Sequence, residues 1–285
     1  MFFVTGSTGN VGRHVVDLLL AEGAKVRALT RDPRAAGLPP GAEVVGGDLG
    51  RPESLAPALD AVTALFLNPA AVGGSTAGFL AAARERGVRR VVLLSSASVR
   101  DGVAEQQGPI AVRHKEIEDA VEASGLEWTF LRPGEFATNL LFQWAPQIRA
   151  TGTVRAAYGM AAMAPIHERD IAAVAVRALL SGSGEHAGAR YELSGPESLT
   201  QFDKLRIIGE VTGQPLRFEE LPPEEGRQAM VEQGVPSFVA DALLAYQAAA
   251  VRHDAPVSPA VRDLTGRPGL TFAEWVADHA EAFRG

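Results

Sequence analysis

The chain has 285 residues, of which 46% are hydrophobic, and a formal net charge of −7. This composition predicts a globular protein with a sizeable core, and the negative charge provides no basic field for nucleic acid or an anionic membrane surface. Because the sequence has no cysteine, it excludes disulfides, thiolate catalysis and cysteine-bound metal.

Residues 1–4 form an apolar segment that predicts the first strand of a sheet, so we expect neither a leader peptide nor a bilayer-spanning run. We therefore expect a cytoplasmic protein without nucleic-acid or membrane partners. We expect it to be a monomer or a homodimer.

The first strand runs into a glycine-rich loop, and a helix is predicted over residues 11–21. This strand–loop–helix context favours a dinucleotide-binding loop over glycines that only punctuate a surface turn. Gly6 permits the tight turn, Gly9 lets the backbone approach a pyrophosphate and Gly12 allows close helix–strand packing. The helix N-terminus attracts the anion. We expect cofactor contacts from Gly6, Ser7, Thr8, Gly9, Asn10, Val11 and Gly12.

Predicted strands alternate with predicted helices through the first half of the chain. The strands fall at residues 25–30, 43–45, 61–67, 90–94 and 128–131, and the helices at 11–21, 52–59, 75–87 and 112–124. The alternation predicts an α/β protein with a Rossmann-type, doubly wound parallel sheet. Ligands of such sheets bind beyond the carboxyl ends of the strands.

The alternation lapses after about residue 134, which predicts two domains. We expect a dinucleotide-binding domain over residues 1–134, to which residues 161–180 return. A smaller, mainly helical and discontinuous substrate-binding lobe is expected over residues 135–285. Further helices are predicted at 166–180, 200–213, 223–233 and 237–252, and a further strand at 190–193.

The end of the second strand decides which dinucleotide is preferred. A carboxylate there binds the ribose 2′-hydroxyl of NAD, whereas an arginine accommodates the 2′-phosphate of NADP. Arg31 directly follows the predicted last strand residue, so its planar cation is placed for a phosphate. Asp32 is the competing NAD carboxylate, although its position before Pro33 suits a turn. The expected cofactor is NADP(H), with NAD(H) as the alternative.

Six short motifs resemble the NmrA-like branch of the atypical short-chain dehydrogenases/reductases: GSTGNVG at residues 6–12, TRDP at 30–33, GDL at 47–49, LSS at 94–96, LRPG at 131–134 and LTGRP at 264–268. Similar members include NADPH-dependent quinone and triphenylmethane reductases, and redox sensors that bind the dinucleotide without reducing anything. The resemblance implies that Asp48 and Leu49 lie near the adenine, Asn68 and Pro69 beside the dinucleotide, and residues 132–134, with Pro133, near the nicotinamide.

Short-chain dehydrogenases usually place a tyrosine four residues before a lysine, and the phenol donates a proton while the ammonium lowers its pKa. This chain departs from that pattern, because the residue four before Lys115 is Ala111 and all three tyrosines come later. The resemblance places His114 at the position of the active lysine. His114 is a candidate to orient the nicotinamide ribose or to donate a proton, or else a core histidine bonded to a backbone carbonyl.

Helical spacing aligns His114 with Ile117 and Val121 on an apolar stripe that should face the interior. Lys115 aligns instead with a charged stripe of Glu118, Asp119 and Glu122, so we expect it to be a solvated salt-bridge partner.

Ser95 and Ser96 follow a predicted strand, where either serine could polarise an acceptor oxygen, cap the loop or contact only the cofactor. Residues 167–170 contain two carboxylates and a histidine, but no helical metal motif surrounds them. We therefore predict no metal site.

The segment after Gly134 carries aromatic, amide and thioether side chains suited to a flat apolar molecule lying over the nicotinamide. The alternative for each is ordinary lobe core. The expected substrate-binding residues are Phe136, Asn139, Phe142, Trp144, Tyr158, Met160 and Met163.

Two functions follow from these features. The first is an NADPH-dependent oxidoreductase that reduces a quinone, aromatic ketone or polyketide-like compound by direct hydride transfer. The second is a non-catalytic NADP(H)-binding redox sensor of the NmrA type. We expect the enzyme, with His114, Ser95 and Ser96 as the catalytic candidates.

Overall fold

The computed structural model describes residues 1–71 and 75–284. The chain forms two compact units. The first contains Met1–Pro133, Glu168–Leu193 and Ala260–Gly266, and the second contains Gly134–His167, Ser194–Pro259 and Arg267–Gly285.

Within residues 1–71 and 75–284, nine strands form two parallel sheets. In chain order they are β1 (Phe2–Val4), β2 (Val26–Thr30), β3 (Glu43–Gly46), β4 (Ala64–Leu67), β5 (Arg90–Leu94), β6 (Glu127–Pro133), β7 (Thr153–Ala156), β8 (Ala189–Leu193) and β9 (Arg217–Glu220). The sheet of the first unit has the order β3-β2-β1-β4-β5-β6-β8. The strand order reverses at β1, which is the topological switch point where such sheets bind ligands.

Twelve α-helices accompany the strands among the described residues. They are α1 (Asn10–Ala21), α2 (Thr76–Glu85), α3 (Pro109–Ala123), α4 (Asn139–Gln143), α5 (Ala145–Thr151), α6 (Glu168–Leu180), α7 (Gln201–Thr212), α8 (Pro223–Glu232), α9 (Ser237–Ala250), α10 (Ala260–Thr265), α11 (Phe272–Asp278) and α12 (Ala280–Phe283). Short 3₁₀ helices lie at Pro52–Leu59 and Pro69–Ala71.

Helices cover both faces of the sheet in the first unit. One core contains Phe3, Leu65 and Val91 from the strands, together with Phe79 of α2 and Ile117 of α3. Helices α1 and α6 pack against each other, and α6 also packs on β4, β5 and β6. Because the central strands β1, β4 and β5 are buried on both faces, they are continuous apolar runs rather than alternating ones.

A partly buried arginine joins the amino end of β5 to the end of α6. Arg90 forms an ion pair of 2.8 Å with Glu127. Its guanidinium also donates to the carbonyl oxygens of Ala178, Leu179 and Ser181, at 3.2, 3.1 and 2.8 Å. These carbonyls have no partner within the helix, so Arg90 caps α6 with a positive charge at the negative end of its dipole.

The second unit contains the parallel β7–β9 pair and most of the shorter helices. Its core is built around Trp275, which stacks on Phe272 and meets Phe283 edge-on. Helices α7 and α11 each begin with a capping box, at Thr200 and Thr271 respectively. These reciprocal hydrogen bonds satisfy backbone N–H groups that the first turn cannot pair.

The predicted α/β fold with a doubly wound parallel sheet is confirmed. Residues 52–59 are helical, as predicted, but they form a 3₁₀ helix, because Pro57 has no N–H to donate and clashes with the preceding turn of an α-helix. The strands β7 and β9 were missed, because they are short and carry charged residues such as Arg155 and Glu219, which pair across them at 3.1 Å.

Candidate functional site

The loop between β1 and α1 has no room for side chains at two of its glycines. Gly6 has φ +61°, in the left-handed region, and a Cβ there would lie 2.7 Å from Nδ2 of Asn68. A Cβ at residue 12 would lie 2.1 Å from the carbonyl oxygen of Gly6. The loop therefore folds back tightly onto the first turn of α1, and glycine is required at both positions.

Two buried hydroxyl groups fix this loop to neighbouring strands. Ser7 Oγ donates to the carbonyl oxygen of Leu29 in β2, at 2.8 Å. Thr5 Oγ1 accepts a hydrogen bond of 2.8 Å from the backbone N–H of Asn68, which follows β4. The Ser7 side chain therefore holds the loop in place, and any contact of this residue with a ligand would come from its backbone.

The N-terminus of α1 fits the phosphates of a dinucleotide. Its N-cap residue, Gly9, provides no side-chain cap, and the first turn contains no acidic residue. Thr8, Gly9 and Asn10 are exposed, whereas Val11 is buried. The backbone N–H groups and the positive end of the helix dipole are thus directed towards an anion that can approach closely.

The end of β2 carries an exposed cation, Arg31, and a carboxylate, Asp32, that is hydrogen-bonded to the backbone. Arg31 is exposed, and within residues 1–71 and 75–284 its guanidinium forms no ion pair. Oδ1 of Asp32 instead accepts hydrogen bonds from the backbone N–H groups of Arg34, at 3.0 Å, and Ala35, at 3.4 Å. Asp32 thus caps a local turn, whereas Arg31 extends from the carboxyl edge of the sheet.

The residues assigned to the adenine and the dinucleotide lie after β3 and β4. Asp48 is exposed and its Oδ1 accepts from the backbone N–H of Gly50 at 2.8 Å, while Leu49 is only 1% exposed and belongs to the core. Oδ1 of Asn68 accepts from the backbone N–H of Ala70 at 2.9 Å, and Pro69 is buried. Their contacts with a cofactor remain predictions.

A buried network of charged groups joins the ends of β5 and β6 to α3. Ser95 Oγ donates to Oε1 of Glu118 at 2.5 Å. Arg132 donates to both oxygens of Glu118, at 2.9 and 2.7 Å, and to both oxygens of Asp101, at 2.8 and 2.9 Å. Glu118 is 1% exposed and Arg132 is 3% exposed. The network therefore compensates two buried charges at the edge of the sheet.

The sequence did not predict this network, and the network corrects the expected position of Glu118. Glu118 was expected on a solvated stripe with Lys115, but it is buried. On a helical wheel Glu118 lies between the apolar and charged stripes, and Ser95 and Arg132 provide the partners that draw it inwards. Lys115 pairs with Asp119 on the outer stripe, as predicted.

His114 lies one helical turn before Glu118 and is partly buried. Its Nδ1 atom is buried without a hydrogen-bond partner in the described part of the chain. Burial lowers the pKa of His114 below the ordinary 6.5, and Arg113 lowers it further, against the opposing effect of Glu118. The imidazole is therefore neutral at neutral pH, and its buried Nδ1 atom has an unused capacity for a hydrogen bond.

The two candidate serines differ in their environment. Ser95 is 3% exposed and its hydroxyl proton is engaged by Glu118. Ser96 is partly exposed, and its Oγ shares a hydrogen bond of 2.9 Å with Ser98 Oγ. Of the two, Ser96 is the one whose hydroxyl can reach a ligand without breaking a buried contact.

The seven predicted substrate residues all belong to the second unit, but they divide by exposure. Trp144 and Met163 are 3% and 7% exposed, and Trp144 is part of the core. Phe142 and Met160 are 74% and 56% exposed, Asn139 is exposed, and Phe136 and Tyr158 are intermediate. Only the latter five can contact a ligand without a change in packing.

The segment that begins the second unit is held by a buried ion pair. Nζ of Lys204 lies 3.1 and 3.0 Å from the two oxygens of Glu135, and it is 5.6 Å from the ring of Trp144. Lys204 is only 1% exposed. Glu135 is therefore fixed directly beside Gly134, at the point where the LRPG motif ends.

Residues 1–71 and 75–284 contain no group of three metal-ligating side chains close enough to hold an ion. Within the same residues, no helix has the length and apolar character needed to cross a bilayer.

The parallel sheet and the glycine loop at its switch point define a dinucleotide-binding protein of the Rossmann type. A family model described as NAD(P)H-binding matches residues 6–181, and the chain belongs to that family. The resemblance to NmrA-like proteins is confirmed, and the protein is an NAD(P)H-dependent reductase.

Two curated relatives match almost the whole chain. The chain is 42% identical over 287 residues to the (4-alkanoyl-5-oxo-2,5-dihydrofuran-3-yl)methyl phosphate reductase of Streptomyces griseus subsp. griseus, covering 99% of both chains. It is 33% identical to the NAD(P)H azoreductase of Xenophilus azovorans, again covering 99% of both.

Solved structures share the fold and the cofactor class. The NADPH complex of the Escherichia coli quinone oxidoreductase QOR2 has a TM-score of 0.79 and 25% identity, covering 98% of this chain and 100% of that one. The triphenylmethane reductase of Citrobacter sp. has a TM-score of 0.78 at 22% identity, covering 99% of each chain, which shows the fold alone.

Proposed function

We propose that this protein uses NADPH to reduce one of two kinds of acceptor: a carbon–carbon double bond that is conjugated with a carbonyl group, or a quinone. The first unit binds the dinucleotide, and exposed residues of the second unit contact the acceptor. Arg31 binds the 2′-phosphate and gives a preference for NADPH over NADH. The proposal narrows the expected substrates to acceptors that need no strong protein acid.

The carrying observation is the state of the candidate catalytic groups in a chain that lacks the tyrosine–lysine pair. His114 is neutral and Ser95 is engaged by Glu118. Bound NADPH supplies the hydride. An isolated ketone would then become an alkoxide that needs a proton donor, whereas a conjugated acceptor becomes an enolate or a hydroquinone anion that water can protonate. The residues on the chain favour the second kind of acceptor.

The relatives' substrates agree with this chemistry. The name of the Streptomyces griseus reductase describes an oxo-dihydrofuran carrying an alkanoyl group, so that its ring double bond is conjugated with carbonyl groups. The Escherichia coli relative is named a quinone oxidoreductase. We therefore include an alkanoyl butenolide, with and without its phosphate, among the acceptors to be tested.

The protein's own residues position the cofactor and the acceptor for hydride transfer. The neutral, partly exposed His114 imidazole hydrogen-bonds a hydroxyl group of the nicotinamide ribose, and Ser96 offers a hydroxyl group near the carboxyl end of β5. In the second unit, Phe136, Asn139, Phe142, Tyr158 and Met160 are the residues available to the acceptor. Trp144 and Met163 support them from the core.

The test follows NADPH absorbance with four acceptors: menadione, an alkanoyl butenolide, its phosphate, and acetophenone as the control in which hydride can add only to the carbonyl carbon and must give an alkoxide. We expect oxidation with the conjugated acceptors and a rate at least about 100-fold lower with acetophenone, the scale of a missing general acid. Equal rates would contradict the proposal. Tight binding of NADPH without oxidation by any acceptor would instead favour a redox sensor.

A further inference from the structure

A tyrosine in the second unit has an unusual backbone conformation. Tyr158 has φ +57°, in the left-handed region, and within the described residues it shares a positive φ outside glycine only with Ala61. This conformation is unfavourable for a residue with a bulky side chain. It persists only where the surrounding structure enforces it, and such positions cluster at ligand-binding sites.

A buried glutamine enforces the turn. Nε2 of Gln201 donates to the carbonyl oxygens of Ala157 and Tyr158, at 2.7 and 2.8 Å. The backbone N–H of Gln201 also donates to the carbonyl oxygen of Gly159, at 3.0 Å. Gln201 is 3% exposed, so these bonds are shielded from water. One residue thereby fixes three successive peptide groups around Tyr158.

Gly159, the next residue in the chain, is also restrained. The backbone N–H of Gly159 donates to Oε1 of Glu220 at 3.1 Å. A Cβ at Gly159 would lie 2.4 Å from the ring of Phe202, which itself packs edge-on against Phe218 at 4.8 Å. The backbone of the turn is therefore restrained on both sides, which fixes the direction of the Cα–Cβ bond of Tyr158.

This restrained turn presents a phenol without a protein partner. Tyr158 is partly exposed, and its hydroxyl group makes no hydrogen bond to any other residue in the described ranges 1–71 and 75–284. The neighbouring Met160 is 56% exposed and apolar. A hydrogen-bond donor beside an apolar contact is the combination that orients a flat molecule with one polar end.

We propose that the Tyr158 phenol donates a hydrogen bond to the carbonyl oxygen of the acceptor, and that the strained turn serves to aim it. This assignment rests on the proposed function, and it deepens that function by naming the group that recognises the carbonyl. The phenol stabilises the oxygen where negative charge develops by a hydrogen bond and keeps its own proton, so water still protonates the product.

Two substitutions separate the hydroxyl group from the ring and from the strain. Tyr158→Phe removes only the donor, and Tyr158→Gly removes the side chain while suiting the left-handed backbone. Ala61→Gly is the matched control, because it makes the same backbone change in the first unit. Each variant is compared with the wild type by its melting temperature and by its affinity for an alkanoyl butenolide.

Affinity is measured by calorimetric titration of the protein saturated with NADP⁺, so that binding is observed without turnover. We expect the dissociation constant to rise about tenfold in Tyr158→Phe, the value of one hydrogen bond, and further in Tyr158→Gly. Tyr158→Gly should keep or raise the melting temperature. Ala61→Gly should leave the affinity unchanged.

Wild-type affinity in Tyr158→Phe would overturn the proposal, as would the absence of any binding by the wild type. Reduced binding in Tyr158→Phe would support it even if the wild type failed to oxidise NADPH. That failure would contradict the reductase activity on this acceptor and not the role of the phenol, so the two outcomes are distinguishable.

Discussion

Ser95 and Glu118 share a hydrogen bond of 2.5 Å between Oγ and Oε1, in the interior of the first unit. Arg132 binds the same carboxylate through two of its nitrogens. A serine placed beyond a strand at the ligand-binding edge thus belongs to a structural network rather than to the exposed surface. The catalytic candidates are thereby reduced from two serines to one.

We predict that substituting Ser95 lowers stability, whereas substituting Ser96 lowers activity. Ser95→Ala leaves Glu118 with one fewer donor and should lower the free energy of unfolding by about 1–2 kcal/mol. Ser96→Ala should leave the stability within about 0.5 kcal/mol and lower kcat with menadione. Urea unfolding and NADPH oxidation measure the two effects. A large loss of stability in Ser96→Ala, with none in Ser95→Ala, would contradict this assignment.

Arg31→Ala should weaken NADPH binding far more than NADH binding. A charge-assisted hydrogen bond to a phosphate contributes about 1.5–3 kcal/mol, so the dissociation constant for NADPH should rise at least about tenfold. Arg89→Ala is the control, since Arg89 is exposed at the amino end of β5, the opposite edge of the sheet. If Arg31→Ala lost as much affinity for NADH as for NADPH, the assignment of Arg31 to the 2′-phosphate would be wrong.

Gly12→Ala should abolish dinucleotide binding. The added Cβ would lie 2.1 Å from the carbonyl oxygen of Gly6, so the loop must shift away from the first turn of α1. Gly182→Ala is the matched control, because a Cβ there meets no atom within 4 Å. Fluorescence titration with NADPH compares the two variants. Normal affinity in Gly12→Ala would show that the loop can relax without cost to binding.

The buried His114 should make stability depend on pH. Because its folded pKa is lowered, the unfolded state binds more protons just below the ordinary pKa of 6.5, and stability falls as the pH decreases towards the folded pKa. His114→Gln should therefore gain stability relative to the wild type over this range. His186, whose pKa burial also lowers, retains part of the dependence. Urea midpoints at several pH values test this, and parallel curves would contradict it.

Arg90 should be important for stability and irrelevant to ligand binding. Arg90→Ala leaves Glu127 and several helix-end carbonyl groups without their cationic partner, which should lower the free energy of unfolding by about 2–3 kcal/mol. NADPH affinity should not change, because Arg90 begins β5 at its amino end. Arg89→Ala, at the exposed neighbouring position, is the control and should change neither the free energy of unfolding nor the NADPH affinity.

Much of the fold was predictable because the parallel strands are continuous apolar runs separated by helices. β5 was predicted with its observed bounds, Arg90–Leu94, and the glycine spacing indicated the dinucleotide loop. Charged strands gave no such signal, which is why β9, with its arginine and glutamates, was missed.

The site was predictable only in part, because long-range hydrogen bonds leave little trace in local patterns. Asp101, Glu118 and Arg132 lie far apart in the sequence, and only the fold brings them together. Similarly, helical spacing cannot show that Gln201 restrains Tyr158, since the restraint crosses 43 positions of the chain. The positions of His114 and Lys115 on α3, by contrast, followed from spacing within one helix.

The three tryptophans make the two units separately visible by fluorescence. Trp128 stacks on Phe130 in the first unit and has the Arg190 guanidinium 4.7 Å from its ring, whereas Trp144 and Trp275 are buried in the second. In a Trp128→Phe variant, the emission would therefore come only from the core of the second unit. Its unfolding could then be followed without an attached dye, while changes present only in the wild-type signal would report on the nucleotide-binding sheet.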